Sequence, residues 1–240
     1  LNPITLNSAL TFTGTAGVQG MRLDGVISGN GGLIANLGAT GRATLTADNT
    51  FTGDTNVTGG ILAIGLKSLQ GSSSVTIASG ATLAIGANGG TTVINNLSGA
   101  GSISSAFNIV ANGVRPIKVN QSVSGELSGT ISEGTSARMI SVTKSGAAAL
   151  TLSGNNAYTG GVVLSQGSLV ATNANALGTA GTVTINDADT GSNNTTLLLG
   201  GVTMARAVSV SNNGTGTVTL GANGSVAVSY THLRAHETDS

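Results

Sequence analysis

Thr44-Leu45-Thr46-Ala47-Asp48-Asn49-Thr50-Phe51-Thr52-Gly53 returns later in the chain as Thr151-Leu152-Ser153-Gly154-Asn155-Asn156-Ala157-Tyr158-Thr159-Gly160. With Phe51 set on Tyr158, Leu45 falls on Leu152, Asn49 on Asn156, Gly60 on Gly167 and Leu62 on Leu169. After one inserted residue, Leu69 falls on Leu177 and Val75-Thr76-Ile77 on Val183-Thr184-Ile185. Recurrence of this kind is expected where each unit buries its apolar face only against its neighbours, which is how a solenoid is built. A sandwich or jelly roll would also accommodate short strands, but neither needs internal repetition.

The same texture extends outward from the two copies. Short period-two segments rich in β-branched residues recur at Thr82-Leu83-Ala84-Ile85, Val208-Ser209-Val210, Val218-Thr219-Leu220 and Val226-Ala227-Val228, and each reads as a strand. Between the strands lie clusters such as Gly29-Asn30-Gly31-Gly32 and Asn212-Asn213-Gly214, which supply turn chemistry. An apolar-Ser-Gly signature recurs at Ile27-Ser28-Gly29, Leu97-Ser98-Gly99 and Leu127-Ser128-Gly129. No segment carries a convincing helical period. Aligned repeats bury aligned positions, so Leu45 with Leu152, Leu62 with Leu169, and Ile77 with Ile185 are expected to face inward at equivalent places in two coils.

Composition agrees with a narrow, continuous core. Of 240 residues, 8% are charged, 2% are aromatic and 38 are glycine, while 39% are hydrophobic and the net charge is zero. Disordered chains combine low hydrophobicity with high net charge, so this chain is expected to fold. Nine Lys plus Arg, scattered singly, offer no basic stripe for nucleic acid. The longest apolar stretches, such as Leu197 to Leu199, fall far short of the roughly 20 residues a transmembrane helix needs. With no cysteine, disulfides, thiol catalysis and Cys-based zinc sites are excluded. No charged-then-apolar leader precedes Leu1, which reads as an internal fragment.

The run from Leu150 through Gly161, continuing through Gly167-Ser168-Leu169-Val170 to Ala176-Leu177-Gly178 and Gly181 to Ile185, resembles the passenger-associated repeat of autotransporters. Thr44 to Ile77 resembles it too, with Phe51 as the aromatic and Leu69-Gln70-Gly71 as the Leu-Gly turn. The resemblance implies an all-β fold, a right-handed single-stranded parallel β-helix over residues 1–228, with repeat copies near 44–77 and 150–185. It implies a structural stalk, exported through the outer membrane to the bacterial cell surface, whose partner is its own C-terminal outer-membrane β-barrel. No catalytic residue is carried over, because the repeat has none. Residues 229–240, which hold both histidines, break the pattern and look like read-through of adaptor DNA. They are expected to lie outside the fold and to add nothing to its stability.

Candidate chemistry is sparse. Asp187 and Asp189 begin like a calcium loop, but Gly191 stands where a third ligand is needed and no bidentate Glu follows. Asp48 with Asp54, and Glu126 with Glu133, are near enough in sequence to converge as carboxylate pairs for glycoside chemistry. The second copy has Asn155 and Gly161 at the first pair's positions, so the repeat itself does not require acids there. His232 and His236 have zinc-like spacing but no adjacent Glu. Phe51 and Tyr158 suit either packing over a coil or stacking on a sugar, and packing is the expectation. Asparagine-rich turns are expected to form hydrogen-bonded ladders between coils. The reading is therefore no enzyme, no metal and no cofactor. The alternatives are an adhesin that binds host glycans or cells through a side wall, and a polysaccharide-degrading β-helix.

Overall fold

The computed structural model describes residues 2–14, 20–86, 89–105, 113–134 and 138–222, and the backbone of 233–234. Every strand pairing among them is parallel, and no helix occurs. Strands of two to six residues follow one another around a closed path, as the short period-two segments require. Thr92–Asn95, Leu97–Gly99 and Ser102–Ser104 are consecutive in sequence, yet each belongs to a different sheet. Each such turn thus has three sides. The chain is a parallel β-solenoid of about nine turns.

One wall runs the whole length, with ten strands from Leu10–Thr13 to Val218–Ala222. A second has six strands, from Met21–Leu23 to Ile131–Ser132, and stops there. The third side opens as a two-stranded ladder, Ile4–Leu6 on Ile27–Gly29. It resumes at Thr92–Asn95 as a seven-stranded wall. That wall reaches Leu233–Arg234, whose backbone pairs with Val208 and Ser209. The other residues of the 229–240 tail, His232 and His236 among them, lie outside the described residues.

Alternation within each strand sends one set of side chains inward. On the long wall, Phe12, Ala35, Val57 and Ile77 fall in one inward column, turn upon turn, and each is buried. Large residues sit over small ones, as in Phe12 on Ala35 and Leu152 on Ala171, which lets successive layers interdigitate. Such columns replace a globular core and explain why few aromatics are needed. The turns differ in length: Leu150 pairs with Leu169, whereas Gly167 pairs with Thr195, and the extra residues lie in the corners.

All six aligned residues face inward and are at most 1% exposed. They do not, however, share walls. Leu45 and Leu62 lie on the six-stranded wall and Leu152 and Leu169 on the ten-stranded one, while Ile77 lies on the ten-stranded wall and Ile185 on the seven-stranded one. The second copy is rotated by one side of the solenoid. Three similar sides present the same stacking chemistry, so a repeat can begin on any of them.

At one corner Gly101, Gly129 and Gly154 stack on successive turns. A Cβ on Gly129 would stand 1.9 Å from the Gly101 carbonyl oxygen, and one on Gly154 1.9 Å from that of Gly129. Only bare backbone fits there. Gly129→Ala is expected to lower stability by about 1–3 kcal/mol or more. Gly80→Asn, at φ 80 with nothing within 4 Å of its Cβ position, should be close to neutral because Asn tolerates this conformation. Urea unfolding of the two variants checks the contrast.

Candidate functional site

The repeat's most informative residue is a buried asparagine. Asn49, 5% exposed, accepts the Ile27 N–H at its Oδ1 (2.9 Å) and donates from Nδ2 to the Ser68 carbonyl (3.1 Å). The next residue, Thr50, donates its N–H to the Ile27 carbonyl (2.8 Å). Asn156, 1% exposed, does the same. Its Oδ1 accepts the Ile131 N–H (2.7 Å), its Nδ2 donates to the Ala176 carbonyl (2.6 Å), and the Ala157 N–H donates to the Ile131 carbonyl (2.9 Å). One side-chain amide therefore ties three successive turns together.

Its place in the fold explains why it is needed. Ile27–Gly29 is the last strand of the two-stranded ladder, and Ile131–Ser132 the last of the six-stranded wall. In both cases the next turn on that side has no strand, so the N–H at the head of the last strand would be an unpaired buried donor. An amide carries both a donor and an acceptor, and it replaces the missing rung in both directions. Each copy of the repeat marks the point at which a wall gives up strand pairing, on two different sides of the solenoid.

The aromatic two residues on completes the arrangement. Phe51 and Tyr158 are 1% and 0% exposed, so they pack inside and offer no face to a sugar. Burial holds the Tyr158 hydroxyl far above the ordinary tyrosine range, only weakly opposed by the Arg206 guanidinium. The expected ladders are present as well: Asn120 Nδ2 donates to Asn95 Oδ1 (3.2 Å), and Asn175 Nδ2 to Asn155 Oδ1 (2.9 Å).

Each of the candidate acids has partners of its own. Asp48, exposed, faces Lys67 at 3.5 Å, and Asp54 accepts the hydroxyls of Ser73 and Ser74 (2.6 and 2.7 Å), which hold its carboxyl below the usual range. Glu126 accepts the Ser153 hydroxyl on the long wall (2.5 Å). Glu133 is a tie between turns: its Oε1 accepts the N–H groups of Ile140 (2.7 Å) and Thr159 (2.8 Å). Asp187 accepts the Thr190 hydroxyl (3.0 Å), whereas Asp189 meets Lys118 at 3.4 Å. Among the described residues no group of three His, Cys, Asp or Glu gathers.

Two cations escape sequence reasoning altogether, because single Lys and Arg residues read as solvated. Arg115 is fully buried and donates to the Gly113 carbonyl (3.1 Å). Lys144 is also fully buried. Its ammonium donates to the carbonyls of Ser145, Gly146 and Gln166 (2.9, 2.7 and 2.9 Å), and burial still pulls its pKa down to about 8. No sequence signal distinguishes it beyond its inward parity in the run Ile140–Ser145.

The family model of the passenger-associated-transport-repeat matches two segments, residues 40–64 and 142–171. The two segments thus match autotransporter passenger repeats, and they contain Asn49 with Phe51 and Asn156 with Tyr158. No curated protein and no solved structure matches the chain.

Two outcomes follow. Asn49→Ala and Asn156→Ala each strand a buried N–H and a buried carbonyl, and each is expected to cost about 2–4 kcal/mol in urea unfolding. Asn7→Ala, at an exposed position, should stay within about 0.5 kcal/mol of the parent. The second outcome concerns pH. The folded pKa of Lys144 lies below its unfolded value, so the charged ammonium penalises the folded state below pH 8, and the penalty fades as pH rises. Stability is expected to increase by about 2 kcal/mol from about pH 7 to 9.5, short of tyrosine ionisation, and Lys144→Met should abolish that slope.

Proposed function

We propose that the chain is a structural stalk, the β-helical part of a surface-displayed autotransporter passenger, and not an enzyme. The observation that carries this reading is that both passenger repeats spend their distinctive residues on stitching turns together. The acids that a catalytic site would need are likewise engaged in structural contacts, as with Glu133 and Asp189. No helix among the described residues is long and apolar enough to cross a membrane, which says nothing of a β-barrel elsewhere.

In this reading the partner is a C-terminal outer-membrane β-barrel of the same protein. Export and stacking then assist one another. Each turn emerging at the surface buries its inner face on the turn before it, at roughly 25 cal/mol per Å² of apolar surface, so a folded turn resists sliding back. The asparagine ties suit this task, because each completes its bonds only once the following turn is laid down.

The test is display on cells. The chain, placed between an export leader and a passenger-less autotransporter barrel, is expected to reach the surface and to be cleaved by protease added to intact cells. The double variant Asn49→Ala, Asn156→Ala should be displayed at a lower level and digested faster. Parent chain retained in the periplasm would contradict the proposal, as would release of reducing or unsaturated ends from a polysaccharide panel by the purified chain.

A further inference from the structure

Many asparagines in the turns hold the fold together, but those around one corner do not. Where the third side meets the long wall, the corner opens into a hollow of about 440 Å³ spanning three turns. Its floor is bare backbone, because Gly31, Gly32 and Gly53 admit no side chain. A Cβ there would stand 2.0 Å from the Ser8 carbonyl oxygen, 2.6 Å from that of Asp54 and 2.4 Å from the Gly32 nitrogen, respectively. Around this floor stand Asn7, Asn30 and Asn56, one on each turn. Their side-chain amides make no hydrogen bond to any described residue.

The same corner opens again further along, in a hollow of about 330 Å³ lined by Gln166, Asn193 and Asn194. There the amides are committed. Gln166 Nε2 donates to Asn193 Oδ1 (3.0 Å), Asn193 Nδ2 donates to the Thr190 carbonyl (2.7 Å), and Asn194 Oδ1 accepts the Thr217 N–H (2.8 Å). Of these two hollows, the first is the one whose amides remain uncommitted.

The geometry points to the first hollow as a binding site for a neutral glycan lying along the solenoid axis. Three amides, each offering a donor and an acceptor, meet vicinal hydroxyls on their own terms. Turns are spaced about 4.8 Å apart, so the three rungs cover about 10 Å, and the volume is that of a small-ligand cleft. Ile34, outward and half-buried between Thr11 and Asn56 in the register of the long wall, gives an apolar platform for the C–H face of a sugar. The charged side chain in the lining is Asp54, kept ionised by two serine hydroxyls, and it disfavours an anionic ligand. This site goes beyond the stalk reading: a chain that is displayed but binds no glycan fails only here.

The experiment is affinity electrophoresis of the chain in gels containing dextran, mannan or hydroxyethyl cellulose, with alginate as the anionic comparator. At least one neutral polymer is expected to retard the chain, and Asn7→Ala, Asn30→Ala, Asn56→Ala together should weaken the retardation by about tenfold or more. Asn194→Ala should leave it unchanged. On the unaltered chain, titration with the retarding polymer should shift the side-chain amide resonances of Asn7, Asn30 and Asn56 and leave those of Asn49 and Asn156 in place. No retardation by any neutral polymer, stronger retardation by alginate, or unmoved Asn30 and Asn56 resonances would overturn the assignment.

Discussion

A turn of this solenoid has no means of burying its own inner face. Each side contributes a strand of a few residues with two or three inward side chains, far too little for a core, and the strand's N–H and C=O groups all point along the axis. Burial and backbone pairing are therefore satisfied by the same neighbour at the same time. Columns such as Phe12, Ala35, Val57 and Ile77 follow from this coupling, and so does the stack of Gly101, Gly129 and Gly154 where backbones meet too closely for a side chain. The charge of Lys144 is accommodated inside by three carbonyls that converge on its ammonium.

Wherever a side stops pairing, the coupling fails locally and the orphaned backbone groups need other partners. The passenger repeat supplies them with one asparagine and one ring. Both are local devices, indifferent to which side of the solenoid they occupy, and the two copies sit on different sides for that reason. The ring need not be polar. Phe51 serves in the first copy, and the Tyr158 hydroxyl is buried without a hydrogen-bond partner among the described residues. The amide, by contrast, needs both of its ends, since its oxygen serves the turn below and its nitrogen the turn above.

Strand content, parallel stacking and inward parity were legible in the sequence because period-two patterns and a self-aligned unit report directly on burial. Leu45 and Leu152 were recognisable as inward from their alignment alone. Their separation onto two walls was not, because wall membership depends on how many sides the intervening residues complete, and corners of variable length conceal that count. Asn49 and Asn156 stood in plain alignment, yet they were hidden among asparagines whose role is only to turn the chain. Lys144 and Arg115 were missed because a lone cation in a polar sequence gives no sign of facing inward until the strand's parity is fixed. Asn7 and Asn30 fall outside both repeat copies, and Asn56, inside the first, aligns with Val163 in the second, so alignment gives no sign of their free amides.

The account depends most on the claim that a side-chain amide completes the stacking at each place where a wall ends. Backbone amide exchange at Ile27 and Ile131 measures this directly, since each N–H heads a final strand and has an asparagine oxygen as its acceptor. The account predicts that both exchange as slowly as the ladder amides of Leu33 and Val142, which donate to backbone carbonyls of the neighbouring turn. Exchange of either at the rate of an open turn would show that the wall frays where its pairing stops, and would contradict the role assigned to the repeat.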